Sequence, residues 1–127
     1  MTALFIALGG AAGALARYGL GGWVQNRAGF AFPWGTLAVN VSGCLLLGLA
    51  AGLFQGVRLT PDLRALITIG FLGAFTTFST FGYETVVLIQ EGAWVRAAAY
   101  ALGSVAVGVV AVWVGLRLGA VLLPVRA

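Results

Sequence analysis

The sequence predicts an all-α membrane protein of four transmembrane helices. Hydrophobic residues make up 61% of the 127 and charged residues 8%, where an ordinary soluble domain carries about 25% charge. So few charges cannot build a water-facing surface. The apolar residues fall in four continuous runs, each near the roughly 20 residues that a helix needs to cross the hydrocarbon core. A closed β-barrel would show short alternating segments instead.

The first run extends from about Ala3 to Gln25 and stops in Asn26, Arg27, Ala28 and Gly29. It lacks the basic start of a secretory signal and no separate mature domain follows, so a retained helix is expected. The second begins after Pro33, runs from about Gly35 to Gln55, and stops at Gly56 and Arg58. Thr60, Pro61 and Asp62 have the character of a helix start, with Thr60 as N-cap and Pro61 at the first helical position. From there the third run reaches about Ile89 and closes at Glu91 and Gly92, and the fourth covers about Ala93 to Leu123 before Pro124 and Arg126. The expectation is a single transmembrane domain over residues 1–127, with helices at about 3–25, 35–55, 62–89 and 93–123.

Glycines recur at four-residue spacing: Gly9 and Gly13; Gly48, Gly52 and Gly56; Gly115 and Gly119. Such spacing lets helix backbones approach closely in lipid, within one chain or between subunits. The net charge of +4 comes from seven arginines against Asp62, Glu84 and Glu91. Most of them stand singly near the ends of the runs and describe membrane flanks, not a nucleic-acid face. With a cytoplasmic N-terminus the inside ends carry Arg58, Arg64, Arg117 and Arg126, and the outside ends carry Arg27 and Arg96. That is a small bias by the positive-inside rule, and it suits insertion in both orientations.

The least membrane-like stretch is Gly70 through Phe81, in the third run. Thr76, Thr77, Ser79 and Thr80 cluster at its centre, and hydroxyls there need partners. A lone Thr would bond back to its own helix. Four hydroxyls in five positions, after Gly70 and Gly73 and interleaved with Phe75, Phe78 and Phe81, point to a helix break or a polar pathway. The three rings would share one face of a continuous helix, where packing is their usual work. A ring held edge-on, however, stabilises an anion without a formal charge. A channel must replace an ion's hydration without holding it too firmly to leave.

Asn40 is the amide candidate, placed in an apolar helix where an unpaired side chain is costly; Asn40-Val41-Ser42 is a sequon in form but is buried in that helix. Intramembrane ionisable residues are functional candidates, here Arg17 and Glu84. Arg17 either snorkels, pairs with Glu84, or raises the anion concentration at the mouth of a path. Cys44 stands alone and is expected to pack as a small hydrophobe. Without histidine, and with carboxylates far apart in sequence, a metal site or paired-carboxylate catalyst has little to build from and a serine triad lacks its base, so an enzyme is not expected. Gly9 to Gly13 has the look of a phosphate loop, but no strand precedes it.

Three motifs, Gly9 through Tyr18, Gly35 through Gly43 and Gly70 through Phe81, resemble in order and spacing the signature segments of the CrcB/Fluc fluoride channels. The likeness spans the whole chain. It implies a fluoride-selective channel that exports fluoride passively across the plasma or bacterial inner membrane. It also implies a break in the third helix and an antiparallel, dual-topology homodimer enclosing two pores. By motif, Phe78 and Phe81 resemble the pore phenylalanines, Asn40 the pore amide, and Ser79 and Thr80 the neighbouring hydroxyls. Glu84, Tyr100 and Ser104 resemble the polar track, with Arg17 toward its vestibule. The backbone carbonyls of Gly73 and Thr76 match positions that hold a structural sodium ion at the two-fold axis. The implied partners are fluoride, a second copy and membrane lipid, with no nucleic acid. Gly108 and Val112 depart from the family in lacking a hydroxyl, and Phe75 is a third ring to which packing is assigned. The competing classes are a small multidrug-type proton-coupled transporter, which needs a carboxylate in its first helix, and a non-conducting accessory subunit, which leaves the hydroxyl and phenylalanine cluster without a purpose.

Overall fold

The computed structural model describes residues 1–123, so Pro124 and Arg126 lie outside the described residues. All regular structure among the described residues is helical. Four helical spans are long and apolar enough to cross a membrane: Thr2–Ala28, Trp34–Gly56, Pro61–Gln90 and Trp94–Leu122.

Helix α1 (Thr2–Ala28) runs past Gln25, where a stop was expected, because Asn26 and Arg27 continue it without strain. The chain turns at Gly29, whose φ of 89° lies in the left-handed region open to glycine. Gln25 then ties the turn to the next helix. Its Nε2 donates to the carbonyls of Gly29 and Phe32, and its Oε1 accepts the Gly35 N–H at 2.9 Å, in the first turn of α2 (Trp34–Gly56).

The third span is assembled in pieces. Thr60 caps α3 (Pro61–Ala65), its hydroxyl accepting the Leu63 N–H at 3.3 Å, as an N-cap threonine does. A wider π-helical stretch, Leu66–Leu72, follows, then the short α4 (Gly73–Phe75). Thr76 and Thr77 are extended, with φ/ψ of −83°/159° and −149°/119°. Helix α5 (Phe78–Gln90) completes the span, and α6 (Trp94–Leu122) is the fourth.

Helix α2 packs most extensively on α6, and α1 lies against Leu66–Leu72. A Cβ added at Gly48 would strike the Val112 carbonyl, and one at Gly115 would strike the Leu45 carbonyl. Gly9 and Gly13 meet the backbone of Leu66, Gly70 and Phe71 in the same way. The four-residue glycine spacing therefore serves contacts within one chain.

Large apolar side chains such as Leu15, Trp23, Val95, Leu102 and Trp113 point outward. In lipid that outside is as comfortable as a core, so the helices are apolar all round. Arg27 lies over the Trp23 ring and Arg117 over the Trp113 ring, pairings suited to the headgroup zone. At the span ends Arg64 donates to the Phe54 carbonyl at 3.1 Å and Arg96 to the Ala31 carbonyl. These two arginines satisfy carbonyls that would otherwise face the interface unpaired.

Candidate functional site

Thr77 is the centre of the arrangement. It is 9% exposed, and both of its backbone groups are taken by one side chain on α2. Asn40 Nδ2 donates to the Thr77 carbonyl at 3.0 Å, and the Thr77 N–H donates to Asn40 Oδ1 at 2.8 Å. Extended backbone at membrane depth is tolerated only where its polar groups find protein partners, and here one amide supplies both. An amide has two N–H donors, so one of them remains after the bond to Thr77.

The Thr77 hydroxyl caps α5, accepting the Thr80 N–H at 3.2 Å. It also donates to the Thr80 hydroxyl at 3.0 Å and lies 3.3 Å from that of Ser79. Thr76 behaves differently: its hydroxyl bonds back to the Leu72 carbonyl at 3.0 Å, the ordinary habit of threonine in a membrane helix. Ser79 and Thr80 are exposed at the surface of the chain. With the N-terminus of the 13-residue α5, whose end carries the positive pole of the helix dipole, they form a set of neutral donors without a carboxylate among them.

The extended pair also separates the three phenylalanines. Phe75 is 4% exposed and stacks on Phe71 at 5.8 Å between centroids, while Phe78 is 84% exposed. Phe81 lies between Phe78 at 5.6 Å and Tyr100 at 5.2 Å. A continuous helix would have set these rings along one face, so the rotation at Thr76 and Thr77 is what turns Phe78 outward.

Two backbone carbonyls lose their usual donors here. An unbroken α-helix would give the Thr77 N–H to Gly73 and the Thr80 N–H to Thr76. Instead, the first goes to Asn40 Oδ1 and the second to Thr77 Oγ1. Freed carbonyls suit a hard cation such as sodium, and Gly73 and Thr76 are the positions at which the family resemblance implies one. Among the described residues no group of His, Cys, Asp or Glu is arranged to hold a metal.

Glu84 does not pair with Arg17, as one of the sequence expectations had it. Its carboxylate accepts the Thr36 hydroxyl at 2.9 Å and the Tyr100 hydroxyl at 2.6 Å. Two neutral donors reach it from helices packed on α5, and Arg17 remains half-buried on α1. Tyr100 is fully buried against Phe32, Leu37 and Phe81, and its one proton is committed to Glu84. Ser104 Oγ is buried without a hydrogen-bond partner among the described residues. Where a hydroxyl is missing at Gly108, a Cβ would sit 3.4 Å from Cys44 Sγ, so the sulfur occupies that space.

These groups line two cavities on either side of Thr77. One, of about 320 Å³, is bounded by Asn40, Gly73, Thr76, Phe78, Phe81 and Ser104. The other, of about 450 Å³, is bounded by Arg17, Gln25, Thr36, Thr80 and Glu84. The chain thus brings the amide, the rings, Ser104, Gly73 and Thr76 to one cavity and Arg17, Thr80 and Glu84 to the other, with Thr77 lining both. Thr77 and Thr36 were not among the residues assigned a role from sequence. Thr77-Ser79-Thr80 carried a signal, a threonine three residues before another at a helix start, and Thr36 lies one turn before Asn40 on the same face.

The chain matches, over residues 4–116, the family model described as CrcB-like protein, Camphor Resistance (CrcB). It is similar to the fluoride-specific ion channel FluC of Acidobacterium capsulatum, with 49% identity over 120 residues covering 94% of this chain and 96% of that protein. It shares 47% identity over 119 residues with a fluoride-specific ion channel FluC of Thermus thermophilus, covering 94% of each. With the fluoride-specific ion channel FluC of Geobacter sulfurreducens the identity is 50% over 116 residues, covering 91% of this chain and 94% of that protein.

Proposed function

The chain belongs to the CrcB-like family and is a multi-pass protein of the cell membrane, and from that premise we propose that it is a fluoride-selective channel. The observation that carries the proposal is the set of neutral donors and rings gathered around Thr77, halfway along the third span. The activity is passive permeation, so no chemical step is required of any residue.

Fluoride holds its water tightly, and a path through the bilayer must replace that water in part. Asn40 offers its free amide N–H, Ser79 and Thr80 offer hydroxyls, and Phe78 and Phe81 offer ring edges. None of these carries a formal charge, so the ion is stabilised without being trapped. Arg17 raises the anion concentration in the cavity that it lines with Thr36 and Thr80. Of the residues that resemble the family's polar track, Ser104 keeps an uncommitted hydroxyl beside the rings, while Glu84 fixes the hydroxyls of Thr36 and Tyr100.

The single four-helix unit is incomplete as a channel. Exposed hydroxyls at Ser79 and Thr80 at membrane depth need a protein surface opposite them, and a second copy inserted antiparallel supplies it and encloses the outward-turned Phe78 beside them. The weak arginine bias supports that dual insertion. Two such copies enclose two pores and bring the Gly73 and Thr76 carbonyls of each to a common axis. There they would hold a structural sodium ion, which supplies a fixed positive charge where unpaired carbonyls would otherwise face one another. The transporter alternative finds no support, since α1 has no acidic residue.

Efflux from proteoliposomes tests the proposal. Fluoride release, with chloride retained and no dependence on a proton gradient, is the expected result. Equal chloride release, or proton-coupled exchange of a cation, would exclude it.

A further inference from the structure

We propose that Asn40 is the positioning residue of the cation site at the helix break, acting through the Thr77 N–H that it withholds from the Gly73 carbonyl. The inference rests on the reading that Gly73 and Thr76 hold a sodium ion. It goes beyond that reading in naming what keeps those carbonyls available.

Asn40 Oδ1 takes the Thr77 N–H at 2.8 Å. In a regular helix that same N–H would close on Gly73, one turn back. Gly73 sits at the start of a three-residue helical piece, Gly73–Phe75, that ends where Thr76 becomes extended. Rewinding that piece would return Thr76 from its extended ψ of 159° to helical torsions and close the Thr77 N–H on Gly73 in place of Asn40 Oδ1. The buried Thr77 N–H must be paired somewhere, and its two candidate acceptors are Asn40 Oδ1 and the Gly73 carbonyl. Removing the first hands the proton to the second, and a carbonyl that accepts an N–H along its lone pair is a poorer ligand for a cation.

The other half of the amide has a different task. Nδ2 holds the Thr77 carbonyl at 3.0 Å and keeps a second N–H, on a side chain that lines the same cavity as Phe78 and Phe81. One side chain therefore serves both ions, the cation through its oxygen and the anion through its nitrogen.

Substitutions that split the two halves make this testable. Asn40→Asp keeps an oxygen for the Thr77 N–H and loses the donors. Asn40→Leu and Asn40→Ala lose the acceptor altogether. The readout is the thermal unfolding midpoint of the purified protein, followed by tryptophan fluorescence while sodium chloride replaces N-methylglucamine chloride at constant ionic strength. The wild-type midpoint rises with sodium. In Asn40→Leu and Asn40→Ala the half-saturating sodium concentration rises at least tenfold, while in Asn40→Asp it stays within about threefold of wild type. Should neither acceptor-less variant accumulate as folded protein, Asn40→Asp decides alone: a retained response supports the proposal and a lost one overturns it.

Unchanged sodium titrations in Asn40→Leu or Asn40→Ala overturn the role of Asn40 and leave the cation site standing. A wild-type midpoint indifferent to sodium removes the cation site itself, and the inference with it.

Discussion

Asn40 and Thr77, 37 residues apart, are joined as neighbours on adjacent antiparallel strands would be: the side-chain amide gives one hydrogen bond to the Thr77 carbonyl and takes another from its N–H. A helix interrupted in lipid leaves polar backbone groups that cost several kcal/mol each when unpaired. This single contact removes two of those penalties and leaves one amide donor free beside Phe78 and Phe81.

Asn40→Asp is expected to abolish fluoride flux while the protein still assembles. The carboxylate retains an oxygen for the Thr77 N–H but has no donor for the anion and places a like charge against it. Fluoride-electrode traces from proteoliposomes, with size-exclusion profiles beside them, check both halves of this expectation.

Phe78→Ile is also expected to abolish flux, for a different reason: the aliphatic side chain fills similar space but has no electropositive ring edge. Because Phe78 is 84% exposed on the chain, its loss should change the unfolding free energy of the single chain by no more than about 0.5 kcal/mol. Flux at the wild-type rate would remove this ring from the path.

Thr77→Val deletes the α5 cap and the hydroxyl that orders Ser79 and Thr80, and should cost about 1 kcal/mol of stability together with most of the flux. Thr77→Ser keeps the oxygen and should restore both. If valine and serine behave alike in the efflux assay, the hydroxyl network has no part in conduction.

Gly115→Val places branched carbon against the Leu45 carbonyl and Leu49 N–H of α2, backbone atoms that cannot move aside. Overpacking of that kind costs about 1–3 kcal/mol or more. A lowered unfolding midpoint and poor recovery of folded protein are expected, with no selective effect on anion preference in whatever folds.

The four spans were legible because Pro33, Pro61, Gly29 and Gly92 interrupt runs of the length a bilayer demands. Which face of each helix meets which neighbour was not, since helices that are apolar all round carry no stripe to read. The hydroxyl cluster from Thr76 to Thr80 stood out as chemistry foreign to lipid, but the division of labour within it did not. Thr76 turns back on Leu72 while Thr77 organises its neighbours, and that difference arises from torsions rather than from residue type. The bonds from Thr36 and Tyr100 to Glu84 join three helices, and the separation of such residues along the chain hides them. Charge made Arg17 one of the candidate partners of Glu84, whereas packing delivers two hydroxyls to it.

A structure of the assembled protein in lipid, determined in the presence of fluoride, tests the central claim most directly. The account predicts that Phe78 and Phe81 stand edge-on to a passage bounded by an oppositely inserted second copy, with Asn40 on the same passage. Rings of Phe78 and Phe81 lying against acyl chains, remote from any passage or second copy, would contradict it.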